Sequence, residues 1–294
     1  MIVITAPTGN IGGQVLEKLL EADAQVRVIV RDPGKLPDNV RTRIEVVVGS
    51  HADQETVHSA FAGADALFWL VPPDPKAPSV ESAYVDFTRP AADAIKEHNI
   101  QRVVVVTALG RGTLMAEHSG YVKASLIMDD LIASTGVAMR QLTMPSFMDN
   151  ILFQLEPIKG KGMFFSPIDG DLKLPSCATR DIAAVAATLL TDDSWSGQDH
   201  VAVLGPKDLS WNDMAGIMTD VLGKPIRFQQ ISFDDYKAQF LKNGMSDAMA
   251  QGMTDMAIAK NEGLDKAEPR TPRNTTPTSF RTWCETILKP AFDA

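Results

Sequence analysis

Cysteine is nearly absent: Cys177 and Cys284 are the only two thiols in 294 residues. They form neither a disulfide framework nor a metal-ligand spacing. The five histidines, His51, His58, His98, His118 and His200, are scattered along the chain, and no metal site is expected from their spacing. So few thiols suit a reduced compartment, and a cytoplasmic location is expected. Long apolar runs are missing too. The longest, such as Ala66 to Val71, are far too short to span a bilayer, so no membrane partner is expected. Ile2 to Ile4 read as a buried strand rather than as part of a secretory signal. Positive charge is in deficit: 28 Lys and Arg against 37 Asp and Glu leave a net charge of -9. That excludes a nucleic-acid backbone as the main partner, since such binding needs a dense basic surface. A local basic patch for one phosphorylated cofactor remains compatible with it.

What is present is a rhythm of short Val- and Ile-rich runs: MIVIT, QVRVIV, IEVVV, ALFWLV, RVVVVT and VAMRQL. Most lack in/out alternation, which suits strands covered on both faces, as in a parallel sheet. Helical patterns separate them. Ile11, Val15, Leu16, Leu19 and Leu20 share one face of the first, and residues 79–98 and 117–135 read as longer helices. Strand and helix in alternation predict an α/β fold, a Rossmann-type doubly wound parallel sheet, with a smaller C-terminal α/β region covering the substrate. The nucleotide-binding core is expected over residues 1–150, with 178–205 returning to it. Residues 151–177 and 206–294 are expected to form the smaller region. There the stretch from Asp234 to about Leu264 reads as helical, and a last helix is expected with Thr276 as N-cap and Pro277 at N1.

The first strand is followed by three small residues, Ala6, Gly9 and Gly12, three apart, and a helix begins near Ile11. Such a loop turns tightly from strand to helix and aims backbone N–H groups and the helix dipole at a pyrophosphate. Gly9 allows the phosphates to approach the backbone, and Gly12 allows the helix to pack closely on the sheet. Ala6 stands where a glycine is usual, which fits if its φ is negative. The second strand ends in Arg31, with Lys35 one turn on, where an acidic residue would take the ribose hydroxyls of NAD. A guanidinium pairs well with a 2′-phosphate, so NADP(H) is expected in preference to NAD(H). Asp32 is the competing feature, able either to cap the turn or to take a ribose.

These pieces, with LFWLVPP, RVVVVTALG, the segment from Tyr121 to Asn150 and the ending PTSFRTWCETILKPA, resemble the NmrA-like branch of the atypical short-chain dehydrogenase/reductases across nearly the whole chain. The resemblance implies Thr8, Gly9, Asn10, Ile11 and Gly12 at the pyrophosphate and Arg31 and Lys35 at the 2′-phosphate. It implies Val71 and Pro72 at the inner ribose, Thr107 and Ala108 by the nicotinamide ribose, and Lys123 reaching that ribose or the substrate. It also implies Pro145, Ser146 and Phe147 at the nicotinamide, with Phe147, Met148 and Asn150 facing the substrate. Ser50 stands where the family often has an aspartate near adenine. The family includes reductases of quinones, azo dyes and phenylpropanoids, and also redox-sensing regulators without catalysis.

Short-chain dehydrogenases with full acid catalysis carry Tyr-x-x-x-Lys, which puts the lysine on the face of the tyrosine and lowers its pKa. Here Ser119 stands four before Lys123, and Tyr121, two before it, lies on a different face. Tyr121 and Lys123 are the candidate catalytic residues. Reduction of a simple ketone makes a strongly basic alkoxide that needs a nearby donor, whereas a quinone gives a far less basic aromatic oxyanion. The expectation is therefore a reductase passing hydride from NADPH to a quinone-like or conjugated small molecule. The alternative is an NADP(H)-binding sensor, for which a homodimer or a protein partner would be expected.

Overall fold

The computed structural model describes residues 1–294 and divides into two compact units. The first comprises residues 1–107, 124–143 and 182–201; the second comprises residues 108–123, 144–181 and 202–294.

The central sheet is built from β1 (Ile2–Ile4), β2 (Val26–Val30), β3 (Glu45–Val48), β4 (Ala66–Trp69), β5 (Arg102–Ala108), β6 (Ala138–Met144) and a seventh strand, Gln198–Ala202. Their spatial order is seventh-β6-β5-β4-β1-β2-β3. Ile2 of β1 lies opposite Val26 of β2 on one side and Ala66 of β4 on the other, both in parallel register. The pairs β2–β3 and β4–β5 are parallel as well. The chain thus starts in the middle, winds outward to β3 and then returns to β4. This reversal between β1 and β4 makes the topological switch point at which doubly wound sheets bind ligands. All six apolar runs became strands.

Both faces of the sheet are covered. Val3, Ile29, Leu67, Val103 and Met139 point into one core with Val57 and Phe61 of the Gln54–Phe61 helix, Ala91, Ala94 and Ile95 of the Phe87–Glu97 helix, and Met128 and Ile132 of the Tyr121–Ala133 helix. The alternating set, Ile4, Val28, Phe68 and Val104, is buried to the same degree. Helix α1 (Asn10–Glu21) buries Ile11, Val15, Leu16, Leu19 and Leu20. The outermost strand departs from the expectation of two covered faces: β3 is an edge, and its Val48 is 63% exposed.

The second unit has its own core of Met148, Ile158, Phe164, Met218, Phe280 and Trp283 among others. Two short parallel ribbons belong to it, Met163–Ser166 with Arg227–Gln230 and Ser146–Phe147 with Ser176–Cys177. Three local expectations are corrected here. The helical stretch from Asp234 divides into Phe233–Lys242 and Asp247–Asn261, because Ser246 accepts a hydrogen bond from Met249 N at 3.2 Å and starts a new helix. The last helix begins at Phe280 with Ser279, not Thr276, as N-cap. The Thr276 hydroxyl is taken by Gly205 N at 3.1 Å and the Thr278 hydroxyl by the Asp181 carboxylate at 2.7 Å, so Ser279 is left to cap Thr282 N. The helix expected over 117–135 begins at Tyr121. Gly120 has φ +52, and a Cβ there would come within 2.7 Å of the Gly252 backbone.

Candidate cofactor site

Thr5 fixes the mouth of the switch point. Its fully buried hydroxyl bonds Phe68 O at 3.1 Å and accepts from Leu70 N at 2.9 Å, which locks the end of β1 to the end of β4. Ala6 follows with φ +50, which corrects the expectation of a negative φ. The left-handed conformation costs an L-residue about 1–2 kcal/mol. A bond from Gly9 N to Ala6 O at 3.0 Å closes the turn that holds it there. The carbonyl of Ala6 then lies directly under α1. A Cβ on Gly12 would sit 2.8 Å from the Ala6 carbonyl carbon, closer still to its oxygen, and 3.1 Å from Thr5 O. Only glycine lets the helix seat so deeply.

Gly9 is the N-cap of α1, with φ -86 and ψ 170 and no side chain to cover the helix end. The first bond of the helix ladder runs from Gly13 N to Gly9 O at 2.9 Å, so the amides of Ile11 and Gly12 precede it. Thr8, Gly9 and Asn10 are exposed while Ile11 and Gly12 are buried. This is a glycine cradle at a helix N-terminus, open to an anion such as a pyrophosphate.

A groove of about 570 Å³ runs along this loop; Thr8, Gly9 and Gly13 line it together with Lys35 and Arg43 and the carboxylates of Glu17 and Glu21. Lys35 therefore shares a surface with the phosphate loop. Arg43 was not singled out by its sequence setting; its guanidinium donates to Leu20 O at 2.7 Å, lies 3.8 Å from the Asp23 carboxylate and is a second cation lining the groove. Asp32 is engaged: its carboxylate accepts from Gly34 N at 3.0 Å and caps the short turn Pro33–Lys35. Arg31, just past β2, is exposed.

His51, in the loop after β3, is a second residue that sequence position did not reveal. It is buried, its Nε2 bonds Leu70 O at 3.1 Å, and its ring packs edge-on against Trp69 and Phe87. Burial first, and then the charge of Arg31, push its pKa down to about 4, against the opposing bond to Leu70. The ring is neutral at pH 7, and Nε2 donates to Leu70 O. Ser50 beside it does not present a free side chain: its hydroxyl accepts from Ala52 N at 3.2 Å. At the end of β4, Val71 is buried and Pro72 exposed. At the end of β5, the buried Thr107 hydroxyl donates to Ser125 Oγ at 3.4 Å and Ala108 is half-buried.

The remaining candidates belong to the second unit. Pro145 is buried, Ser146 and Phe147 are half-buried in their short ribbon, and Asn150 is exposed. Met148 does not face a substrate: it is 2% exposed and packs in the core with Ile151 and Phe164, which corrects that expectation. Between Met148 and Asn150, Asp149 caps the Thr179–Thr191 helix, accepting from Thr179 N at 3.0 Å and Thr179 Oγ1 at 2.9 Å. Ser119 is fully buried, outside the helix that carries Lys123, and its hydroxyl donates to Ala116 O at 2.8 Å. Tyr121 opens that helix, and burial pushes its phenol up to about 12. Lys123 is exposed, with Nζ 3.5 Å from the Glu117 carboxylate.

Residues 7–193 match the model of a family described as NAD(P)H-binding. The NAD(P)H azoreductase of Xenophilus azovorans is 26% identical over 264 residues, which are 87% of this chain and 86% of that protein. Among solved structures, the NADPH-dependent quinone oxidoreductase of Escherichia coli complexed with NADPH superposes with a TM-score of 0.80 at 22% identity, covering 98% of this chain and 100% of that one. The triphenylmethane reductase of Citrobacter sp. complexed with NADP(H) gives a TM-score of 0.79 at 19% identity, over 98% and 100%. At such identities these two likenesses are likenesses of fold. No helix is long and apolar enough to cross a membrane. With the family model covering more than half of the chain, and the switch-point sheet and glycine cradle in place, the chain belongs to the family described as NAD(P)H-binding.

Proposed function

We propose that the protein is an NADPH-dependent reductase that passes hydride to a quinone-like or similarly conjugated small molecule. The observation that carries this reading is the set of proton donors near Lys123. Ser119 is buried and bonded to Ala116 O, Tyr121 holds its proton with a pKa of about 12, and Lys123 faces Glu117. None resembles a phenol whose pKa a neighbouring lysine has lowered, the arrangement that reduction of a simple ketone needs. A quinone accepts the hydride and forms a weakly basic aromatic oxyanion, which takes its proton from water. The azo and quinone reductases among the similar proteins support the same class of acceptor.

The preference for NADPH rests on Arg31 and Lys35, with Asp32 turned to its own loop. Lys123 is assigned to the nicotinamide ribose, and Phe147 and Asn150 to the acceptor. The test is NADPH oxidation against a panel of quinones, azo dyes, enones and simple ketones. Turnover of the conjugated acceptors without the ketones is the expected result. Turnover of none, with NADPH still bound, would favour the sensor. In the same assays Arg31→Ala should weaken NADPH by about 10- to 150-fold, the equivalent of about 1.5–3 kcal/mol for a charge-assisted bond, and leave NADH unchanged. Equal Kd values for NADPH and NADH in the wild type would refute the cofactor assignment.

A further inference from the structure

His58 lies far in the sequence from the adjacent pair Glu97 and His98, yet the fold brings the three together. Their candidate ligand atoms all lie within 4.8 Å of one another. His58 Nδ1 is 3.3 Å from Glu97 Oε2, and the two imidazole rings meet edge to face with centroids 5.3 Å apart. The backbone holds the cluster from two helices. His58 is on Gln54–Phe61, between Val57 and Phe61, which are anchored in the sheet core. Glu97 ends the helix Phe87–Glu97, and His98 is its C-cap, with its amide bonded to Ala94 O at 3.0 Å.

The decisive feature is what the imidazoles lack. Nε2 of His58 and Nε2 of His98 are both shut off from water and have no hydrogen-bond partner. A buried ring nitrogen without a partner is unfavourable, and two on neighbouring rings are uncommon in a native structure. A metal ion would take up nitrogen lone pairs from both rings. We propose that His58, Glu97 and His98 bind a divalent transition ion of the zinc and copper class.

The donor set is right for that class. Two imidazoles and one carboxylate suit borderline ions such as Zn²⁺ and Cu²⁺, whereas Mg²⁺ and Ca²⁺ prefer all-oxygen shells. Zinc bonds of about 2.0–2.1 Å place tetrahedral ligand atoms about 3.3 Å apart, against the 4.8 Å within which the three candidate ligand atoms lie. Small rotations of the three side chains close the remaining distance. The Glu97 carboxylate is on the solvent side, 64% exposed, so an ion can enter and water can fill a fourth position.

The site's place in the fold gives its role. The helix Phe87–Glu97 follows β4 and leads into β5, so its C-terminal end lies at the N-terminal edge of the parallel strands. The glycine cradle follows β1, at the opposite edge. The ion would clamp the helix Gln54–Phe61 to the end of Phe87–Glu97 without touching the cofactor loop.

The test uses untagged full-length protein stripped with chelator and titrated calorimetrically with Zn²⁺. Cu²⁺ is added separately for electron paramagnetic resonance. One Zn²⁺ per chain, a raised Tm and a Cu²⁺ spectrum with nitrogen hyperfine structure are expected. His58→Ala and His98→Ala should each weaken Zn²⁺ by at least about tenfold, as loss of one of three protein ligands demands. Glu97→Gln should weaken it less, and NADPH affinity should stay unchanged in all three. If either alanine variant fails to fold, His58→Gln and His98→Gln keep the ring volume roughly filled and serve instead. Absence of Zn²⁺ binding at about a hundred micromolar, or binding that survives the loss of both histidines, would overturn the proposal.

Discussion

Gly9 and Gly12 look alike in the sequence, but the structure assigns them different duties, and two alanine substitutions separate these. A methyl group at Gly12 would meet only backbone: the Ala6 carbonyl group and Thr5 O, the latter at 3.1 Å. No rotamer change relieves that contact. The loop cannot retreat either, since Thr5 is bonded to Phe68 and Leu70 and Ala6 is held in its turn by Gly9 N. The helix must therefore rise by about 1 Å, and overpacking of this kind costs about 1–3 kcal/mol. The better helix propensity of alanine returns at most about 1 kcal/mol. Gly12→Ala should lose about 1–2 kcal/mol in urea unfolding without cofactor, and NADPH should bind at least about tenfold more weakly because the amide cradle has moved. Gly9 differs: its φ of -86 suits any residue, and an added Cβ would lie 3.3 Å from Ala6 O, a tight contact that a shift of a few tenths of an ångström relieves. Gly9→Ala should unfold within about 0.5 kcal/mol of wild type and still lose NADPH, because its methyl stands where the pyrophosphate approaches. Fluorescence titration with NADPH reads the binding. A Gly12→Ala protein as stable as wild type would refute the steric argument, and a Gly9→Ala protein with unaltered NADPH affinity would refute the placement of the pyrophosphate.

The other predictions concern single residues. His51 has a folded pKa near 4 against about 6.5 unfolded, so its stabilising effect is complete above pH 6.5 and is lost as pH falls toward 4. The loss should reach about 2 kcal/mol at pH 5, and His51→Gln should flatten the slope of urea stability between pH 7.5 and 5; an equal slope in the variant would count against it. Ala6→Gly relieves the left-handed strain of about 1–2 kcal/mol and adds about 0.4–1 kcal/mol of unfolded-state entropy, so a gain of up to about 1.6 kcal/mol is expected, and a lower Tm would contradict it. Ser119→Tyr restores the Tyr-x-x-x-Lys spacing in sequence only, since Ser119 is buried outside the helix. It should destabilise by about 1–3 kcal/mol and yield no ketone reduction. Tyr121→Phe should stay well short of the about 100-fold loss in kcat that removal of a general acid causes; a loss of that size would make Tyr121 the acid.

The strands were legible because a buried parallel strand needs an unbroken apolar run, and the order of runs and helices is enough to imply the switch point. The cradle was legible because its glycines fall at the one junction where a doubly wound sheet uses them. What escaped depends on distant neighbours. The helix that carries Lys123 starts late because Gly120 is left-handed, at φ +52, where the Gly252 backbone leaves no room for a Cβ. The last N-cap moved from Thr276 to Ser279 because Gly205 and Asp181 claimed the earlier hydroxyls. Met148 is core rather than pocket because the packing of Ile151 and Phe164 decides which way it points. The grouping of His58, Glu97 and His98 joins two helices through the pairing of β3, β2, β1 and β4, which no spacing rule reports.

The sign of Ala6 φ has a consequence for how the cradle works. A negative φ would have let the chain run straight from β1 toward the helix, and nothing would then have set the height of α1 above the sheet. With φ at +50 the chain reverses, the Ala6 carbonyl faces α1, and the close approach at Gly12 follows. The strained alanine and the obligatory glycine are thus two ends of one contact. Thr5 anchors that contact to β4, the strand whose end carries His51's acceptor, Leu70 O. The phosphate loop and the loop after β3 are in this way fixed to the same strand end. Rigid placement of the charges around the cradle, rather than their number, is what would let a protein of net charge -9 bind a cofactor that is itself strongly anionic. Removing the Thr5 hydroxyl should therefore weaken NADPH even though Thr5 is buried and away from any phosphate. Thr5→Val is the substitution that keeps the shape, and NADPH affinity equal to wild type in a folded Thr5→Val protein would show that the cradle holds its height without β4.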